Sequence, residues 1–239
     1  MNISFAGKIA LVAGGTGGLG SAVSLAFLEE GARVVVPYRK EEEFAALKAA
    51  AAGNANALEG QRVDITDEMA AAQLVAGVLS AHGRLDAVVN TIGGYAGGIR
   101  LWELEAKTFD TMQLLNLRSG FTLARAVLPA MLKQGHGSLV NVAAKAAIDH
   151  GAGAGAYAAS KAAAVALMDS LAADTRGTGV RVNSVLPSII DTKANRQAMP
   201  GADFATWPKP EDIARVILFL SSDAAKTIHG AAVPVYGNN

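Results

Sequence analysis

The chain has 239 residues, 21 basic against 21 acidic side chains, no cysteine and 51% hydrophobic residues. The missing cysteine excludes a disulfide scaffold, a Cys-ligated zinc site, a thiol nucleophile and an iron–sulfur cluster. The zero net charge leaves no electrostatic footprint for nucleic acid or an anionic membrane. A charged fraction of 18% with a positive mean hydropathy belongs to a folded chain long enough to bury a core. Glycine is the outlier: 26 residues, roughly 11% against an average of about 7%.

In chain order, residues 1–8 lack a basic stretch followed by an apolar one, so no secretory signal is expected. No apolar run reaches the roughly 18 residues of a spanning helix. The cytoplasm is the expected location. Short β-branched runs at 8–13, 33–37, 62–64, 86–90, 138–142, 180–186 and 231–235 read as buried strands. Between them, 18–30, 41–52, 67–81, 109–133, 157–175 and 211–222 have helical spacing. Asp67 is placed as a helix cap, and Pro210 sits where a first turn begins. Strands without alternation, each followed by a helix, describe an α/β fold: a doubly wound parallel sheet of seven strands covered on both faces. No linker or repeat divides the chain, so one domain over 1–239 is expected.

Glycines 14, 15, 17, 18 and 20 follow the first strand and open the first helix. A backbone without Cβ atoms there lets a pyrophosphate approach the amides of a helix N-terminus, where the dipole favours negative charge. An ordinary glycine turn is the plainer reading, but strand, helix and position agree on a phosphate cradle.

The spacing Gly14-x-x-x-Gly18-x-Gly20 resembles that of the short-chain dehydrogenase/reductase family, and the likeness extends over nearly the whole chain. Asp64 matches the family aspartate near the adenine ring, and Asn90-Thr91-Ile92-Gly93 stands in place of its Asn-Asn-Ala-Gly element. Asn116, within Leu115-Asn116-Leu117, matches its helix asparagine, and Tyr157-x-x-x-Lys161 its catalytic pair. Residues 183–192 resemble the segment closing over the nicotinamide, with Pro187, Ile190 and Thr192 matching and Ser188 where glycine is usual. The resemblance implies a Rossmann-like fold and a lid at about 188–209. It implies a nicotinamide dinucleotide held by Gly14, Thr16, Gly18, Leu19, Gly20, Asp64, Ile65, Asn90, Gly93, Pro187, Ile190 and Thr192, together with Tyr157 and Lys161.

Tyr157 and Lys161 are one helical turn apart on one face. A phenol titrates near pH 10, and a neighbouring ammonium is expected to lower that value. Tyr157 is therefore the expected proton donor, Lys161 its tuner and, by resemblance, the holder of the ribose hydroxyls. Ser160 is expected to orient their helix. Thirteen residues before Tyr157 the family places a serine that binds the substrate oxygen; here Ala144 stands there. Residues 93–98, 144–147 and 192–207 look like the quinonoid dihydropteridine reductase branch, which also lacks the serine. In that branch hydride and proton go to a conjugated ring system and no alkoxide develops. Tyr95, Ala144, His150 and Trp207 are the candidate substrate neighbours, and lid-to-core packing accounts for the aromatics equally well.

After Val34-Val35-Val36, Tyr38 stands where an NAD-preferring chain carries an acid, followed by Arg39 and Lys40, which suit a 2′-phosphate. NADP(H) is the expected cofactor, with NAD(H) possible and Glu41, Glu42 and Glu43 diluting the local field. His82, His136, His150 and His229 are scattered without ligand spacing, so no metal site is expected. The expected partner is a small-molecule substrate, with neither nucleic acid nor membrane. By resemblance the assembly is a homodimer or homotetramer. Two classes of function stand: an NADP(H)-dependent oxidoreductase for a small carbonyl, alcohol or conjugated heterocycle, and a non-catalytic NADP(H)-binding sensor or scaffold.

Overall fold

The computed structural model describes residues 3–238. The strands are β1 (Ile9–Ala13), β2 (Arg33–Tyr38), β3 (Leu58–Arg62), β4 (Ala87–Asn90), β5 (Gly137–Val142), β6 (Val180–Pro187) and β7 (Ala232–Val235). They form one parallel sheet in the order β3-β2-β1-β4-β5-β6-β7. The helices are α1 (Gly18–Glu29), α2 (Glu41–Ala50), α3 (Glu68–His82), α4 (Ala106–Gln113), α5 (Ser119–Gln134), α6 (Gly155–Asp174), α7 (Lys193–Ala198) and α8 (Pro210–Ser221).

The apolar runs are continuous because both sheet faces are covered. Ala10, Val12, Val34, Val36, Val89 and Val140 pack on one side with Val23 and Phe27 of α1 and Ile213 and Ile217 of α8. Their neighbours Ile9, Leu11, Val35, Val88 and Leu139 pack on the other with Leu74 of α3, Leu123 and Val127 of α5 and Met168 of α6. Asp67 caps α3 by accepting from the Ala70 amide at 2.9 Å, and Pro210 occupies the first turn of α8. Among the described residues no helix is long and apolar enough to cross a membrane.

Two elements differ from expectation. The third strand lies at Leu58–Arg62, upstream of the Val63-containing run predicted at 62–64. It is one of the two edge strands, buried only at Leu58, and the Phe44 ring covers Gly60 so closely that a Cβ would lie 2.3 Å from it. A polar edge strand carries no apolar run for a sequence reading to find. The predicted helix 109–133 is two helices joined by a π-helical turn, Leu114–Arg118. Such a turn inserts one residue into the helical register, here turning Asn116 inward.

Between β6 and α8 the segment expected to act as a lid holds α7 and a short turn at Phe204–Thr206. Thr192 caps α7 by accepting from the Asn195 amide at 3.2 Å. Asp191, 10% exposed, forms an ion pair with Arg196 of α7 within this segment.

Candidate active site

At the carboxyl ends of the strands, the glycine loop turns directly from β1 into α1. Gly14 adopts φ +77°, and a Cβ on it would lie 2.7 Å from Thr91 Oγ1. A Cβ on Gly20 would lie 2.0 Å from the Gly14 carbonyl oxygen, so α1 rests against the turn itself. Gly17 begins the helix with no side-chain cap, leaving first-turn amides free to meet an anion. A Cβ on Gly18 would come within 3.0 Å of Thr192 Cγ2. The start of α1 and the segment after β6 thus border an open cavity of about 390 Å³ lined by Gly18, Leu19, Ile190, Thr192, Lys193 and Asn195, among others. A cavity at a helix N-terminus, with Gly18 and Lys193 in its wall, fits the phosphates of a dinucleotide.

Towards the edge of the sheet, Asp64 Oδ1 accepts from the Thr66 amide at 2.9 Å and its hydroxyl at 2.8 Å. The amide bond, followed by partial burial in opposition and then by the hydroxyl bond and the Arg39 charge, leaves the Asp64 carboxyl below the usual range. Ile65 is buried in the core, while Arg39 and Lys40 are exposed. Thr16 Oγ1 donates to Glu43 Oε2 at 3.2 Å. Sequence reasoning could not anticipate that bond, because 27 positions separate the two residues.

Asn90, expected beside the cofactor, is 1% exposed. Its Nδ2 donates to Asn141 Oδ1 at 2.9 Å and its Oδ1 accepts from the Ile92 amide at 3.2 Å. It fastens β4 to β5 and shapes the loop that follows. Gly93 lies where two candidate side chains meet: a Cβ there would be 2.9 Å from Asn116 Oδ1 and 3.1 Å from Lys161 Nζ. Asn116 Oδ1 accepts from the Gly94 amide at 2.9 Å, and its Nδ2 donates to the Gly94 carbonyl at 3.1 Å and to Ser160 Oγ at 3.0 Å. Ser160 in turn donates to the Tyr157 carbonyl at 2.7 Å. The expected helix-orienting serine is therefore the hub joining α6 to the π-turn.

Lys161 is buried and donates to the Val142 carbonyl at 3.0 Å; burial pushes its ammonium down to about 8. Burial pushes the Tyr157 phenol up to about 12, with a smaller contribution from Tyr95. The expected lowering of Tyr157 by Lys161 gives way here to desolvation, which favours the neutral forms of both groups. The Tyr95 ring stands edge-on to Tyr157, centroids 5.0 Å apart, and is itself 70% exposed.

Ala144 is 6% exposed and extended at the start of the Lys145–Ala147 turn. Only a methyl group is presented where a hydroxyl was sought. Pro187 ends β6, and Ser188 Oγ donates to the Tyr236 carbonyl at 2.7 Å, fastening the C-terminal segment. His150 is exposed, with Nε2 3.2 Å from the Ala147 carbonyl oxygen. Trp207 is 6% exposed and packs on Phe204 with centroids 5.0 Å apart. Its large apolar ring is turned inward, the packing arrangement expected equally with a substrate wall.

Comparison with known proteins agrees with this architecture. The model of the family described as short chain dehydrogenase matches residues 8–202. The chain is 31% identical over 239 residues to a 3-oxoacyl-[acyl-carrier-protein] reductase FabG of Thermotoga maritima, covering 97% of each chain. It is 33% identical over 243 residues to a D-threitol dehydrogenase of Mycolicibacterium smegmatis, covering 97% of this chain and 92% of that one. A solved short-chain type dehydrogenase/reductase from Mycobacterium ulcerans superposes with a TM-score of 0.92 at 28% identity, over 99% of this chain and 90% of that one. With a matching family model over most of its length and the same seven-stranded parallel sheet, this chain belongs to the short-chain dehydrogenase/reductase family.

Proposed function

We propose that the protein is an NADP(H)-preferring oxidoreductase acting on a small carbonyl or alcohol, built as a single domain with a lid over residues 188–209. The observation that carries this reading is the meeting of Asn116 and Lys161 at Gly93, one helical turn from Tyr157, beside the glycine loop. The bound nicotinamide supplies or accepts the hydride. The glycine loop and the first turn of α1 hold the pyrophosphate. Arg39 would hold a 2′-phosphate, and Ile190 and Thr192 would hold the cofactor from the segment after β6. Tyr157, which keeps its proton at neutral pH, gives it to the substrate oxygen during reduction. Lys161 presents positive charge beneath the site, and Asn116 with Ser160 sets the position of both.

A second reading, a quinonoid dihydropteridine reductase-like enzyme, is favoured by the buried methyl of Ala144 and by the Tyr95 ring flanking Tyr157. A ring-nitrogen acceptor needs no alkoxide donor, so alanine costs it little. The names of the relatives, a 3-oxoacyl reductase and a polyol dehydrogenase, favour the carbonyl reading. A cofactor-binding sensor needs no proton donor with an ordered support, so the Tyr157–Ser160–Asn116 chain speaks for chemistry. We further propose a homodimer or homotetramer, in keeping with exposed Leu114, Phe121 and Leu132 along the π-turn and α5.

Absorbance at the reduced-nicotinamide band, with NADPH, a panel of ketones and a quinonoid dihydropterin, tests these readings. Ketone turnover that Tyr157→Phe abolishes while NADPH still binds is the expected result. Turnover of the pterin alone selects the second reading, and silence on every substrate despite NADPH binding refutes the enzyme.

A further inference from the structure

Glu41, Glu42 and Glu43 open α2 directly after the basic pair Arg39-Lys40. In the sequence they form one diluting negative run; in the fold they part. The Tyr38 hydroxyl donates to Glu41 Oε2 at 2.6 Å. The Tyr38 ring stacks on Phe44 with centroids 4.8 Å apart and 9° between planes. These two contacts tie the first turn of α2 to the end of β2. Glu43 is thereby turned back over the glycine loop. Thr16 Oγ1 donates to its Oε2 at 3.2 Å, and Lys40 Nζ donates to its Oε1 at 2.9 Å.

The Lys40 bond, opposed by slight burial and helped by Thr16 and the Arg39 charge, holds the Glu43 carboxyl below its usual range. An ionised carboxylate therefore lies among Thr16, Lys40 and Arg39, the groups an incoming anion would use. A carboxylate only accepts hydrogen bonds. A ribose hydroxyl can donate to it, whereas a phosphate is a second anion competing for the same cations.

We propose that Glu43 is a cofactor-selectivity residue: its carboxylate occupies the anion position beside the glycine loop, discriminating against a 2′-phosphate while accepting a 2′-hydroxyl. The acid missing from the end of β2 is supplied from α2 instead. Selectivity is then a balance, with Arg39 favouring the phosphorylated cofactor and Glu43 opposing it. This inference rests on the proposed 2′-phosphate role of Arg39.

Calorimetric titration with 2′,5′-ADP and 5′-AMP, which differ by the 2′-phosphate, isolates the subsite from catalysis. Glu43→Gln keeps an acceptor for Thr16 and removes the charge. It should tighten 2′,5′-ADP by about tenfold, the scale of one like-charge contact near a surface, with 5′-AMP unchanged or weakened. Glu43→Ala should move both ligands in the same directions, and NADPH and NADH fluorescence titrations should follow the nucleotides. Unchanged or weaker 2′,5′-ADP binding in both variants overturns the proposal. Arg39→Ala tests the underlying reading separately: selective loss of 2′,5′-ADP upholds it, and equal loss of both nucleotides refutes it whatever Glu43 does.

Discussion

Asn116 Nδ2 lies 3.0 Å from Ser160 Oγ, joining the π-turn between α4 and α5 to the helix that carries Tyr157 and Lys161. The pair is buried, so neither atom can turn to water if its partner is lost.

Asn116→Ala removes four hydrogen bonds, two to Gly94, one to Ser160 Oγ and a weak one to Met112 Sδ. Unpaired buried groups cost about 1–3 kcal/mol each before relaxation, so a loss of at least ~2 kcal/mol is expected in denaturant melts. Ser160→Ala should cost less, about 1 kcal/mol, and lower kcat with little change in NADPH affinity. A fall in NADPH affinity equal to the fall in kcat would show that Ser160 supports the whole site and not the placement of Tyr157.

Ala144→Ser places a hydroxyl at the position where the family resemblance seeks one. A single transition-state donor is worth on the order of 10²–10³ in rate. If the substrate is a carbonyl, steady-state kcat should rise by at least ~10-fold, the new hydroxyl being imperfectly placed. A heterocyclic substrate should show no gain.

Lys161 is lowered from 10.5 to about 8 by burial. Between those values the unfolded chain holds a proton that the folded chain has released, so stability rises with pH across that window. Below about pH 8 both states carry the charge, and the full burial penalty of roughly 3 kcal/mol is present. Lys161→Met removes that penalty and loses the bond to the Val142 carbonyl. At pH 7 the variant should melt a few degrees higher, about 5 °C for a net gain of roughly 2 kcal/mol, while turnover disappears. A lower Tm at pH 7 would refute the burial penalty.

Gly20→Ala forces a methyl to within 2.0 Å of the Gly14 carbonyl oxygen. Backbone cannot yield there without opening the glycine loop. A loss of more than ~3 kcal/mol is expected, together with loss of NADPH binding by fluorescence titration. Near-normal binding would mean that α1 can move away from the turn.

Much of the sheet was legible. β1, β2, β4, β5 and β6 are buried on both faces, so their residues are apolar without alternation and announce themselves. β3 escaped because an edge strand has little to bury, and its Gly60 is dictated by the Phe44 ring above it. The inward turn of Asn116 escaped because apolar spacing reads straight through a π-turn. At the candidate site, Tyr157 and Lys161 stand on one helix as their spacing and the family resemblance led one to expect. The opposing pressures on their protonation did not, since burial is a property of the assembled fold.

The sequence by itself determined the class of fold, the glycine loop and the i,i+4 placement of the candidate pair Tyr157 and Lys161, because periodicity, missing Cβ atoms and helical spacing are local. Only the tertiary structure decided that Asn90 fastens strands, that Trp207 turns inward, that Ser160 joins Asn116, and that Glu43 reaches Thr16. Those contacts join residues brought near one another by the packing of helices on the sheet, and no local pattern encodes which atoms that packing sets face to face.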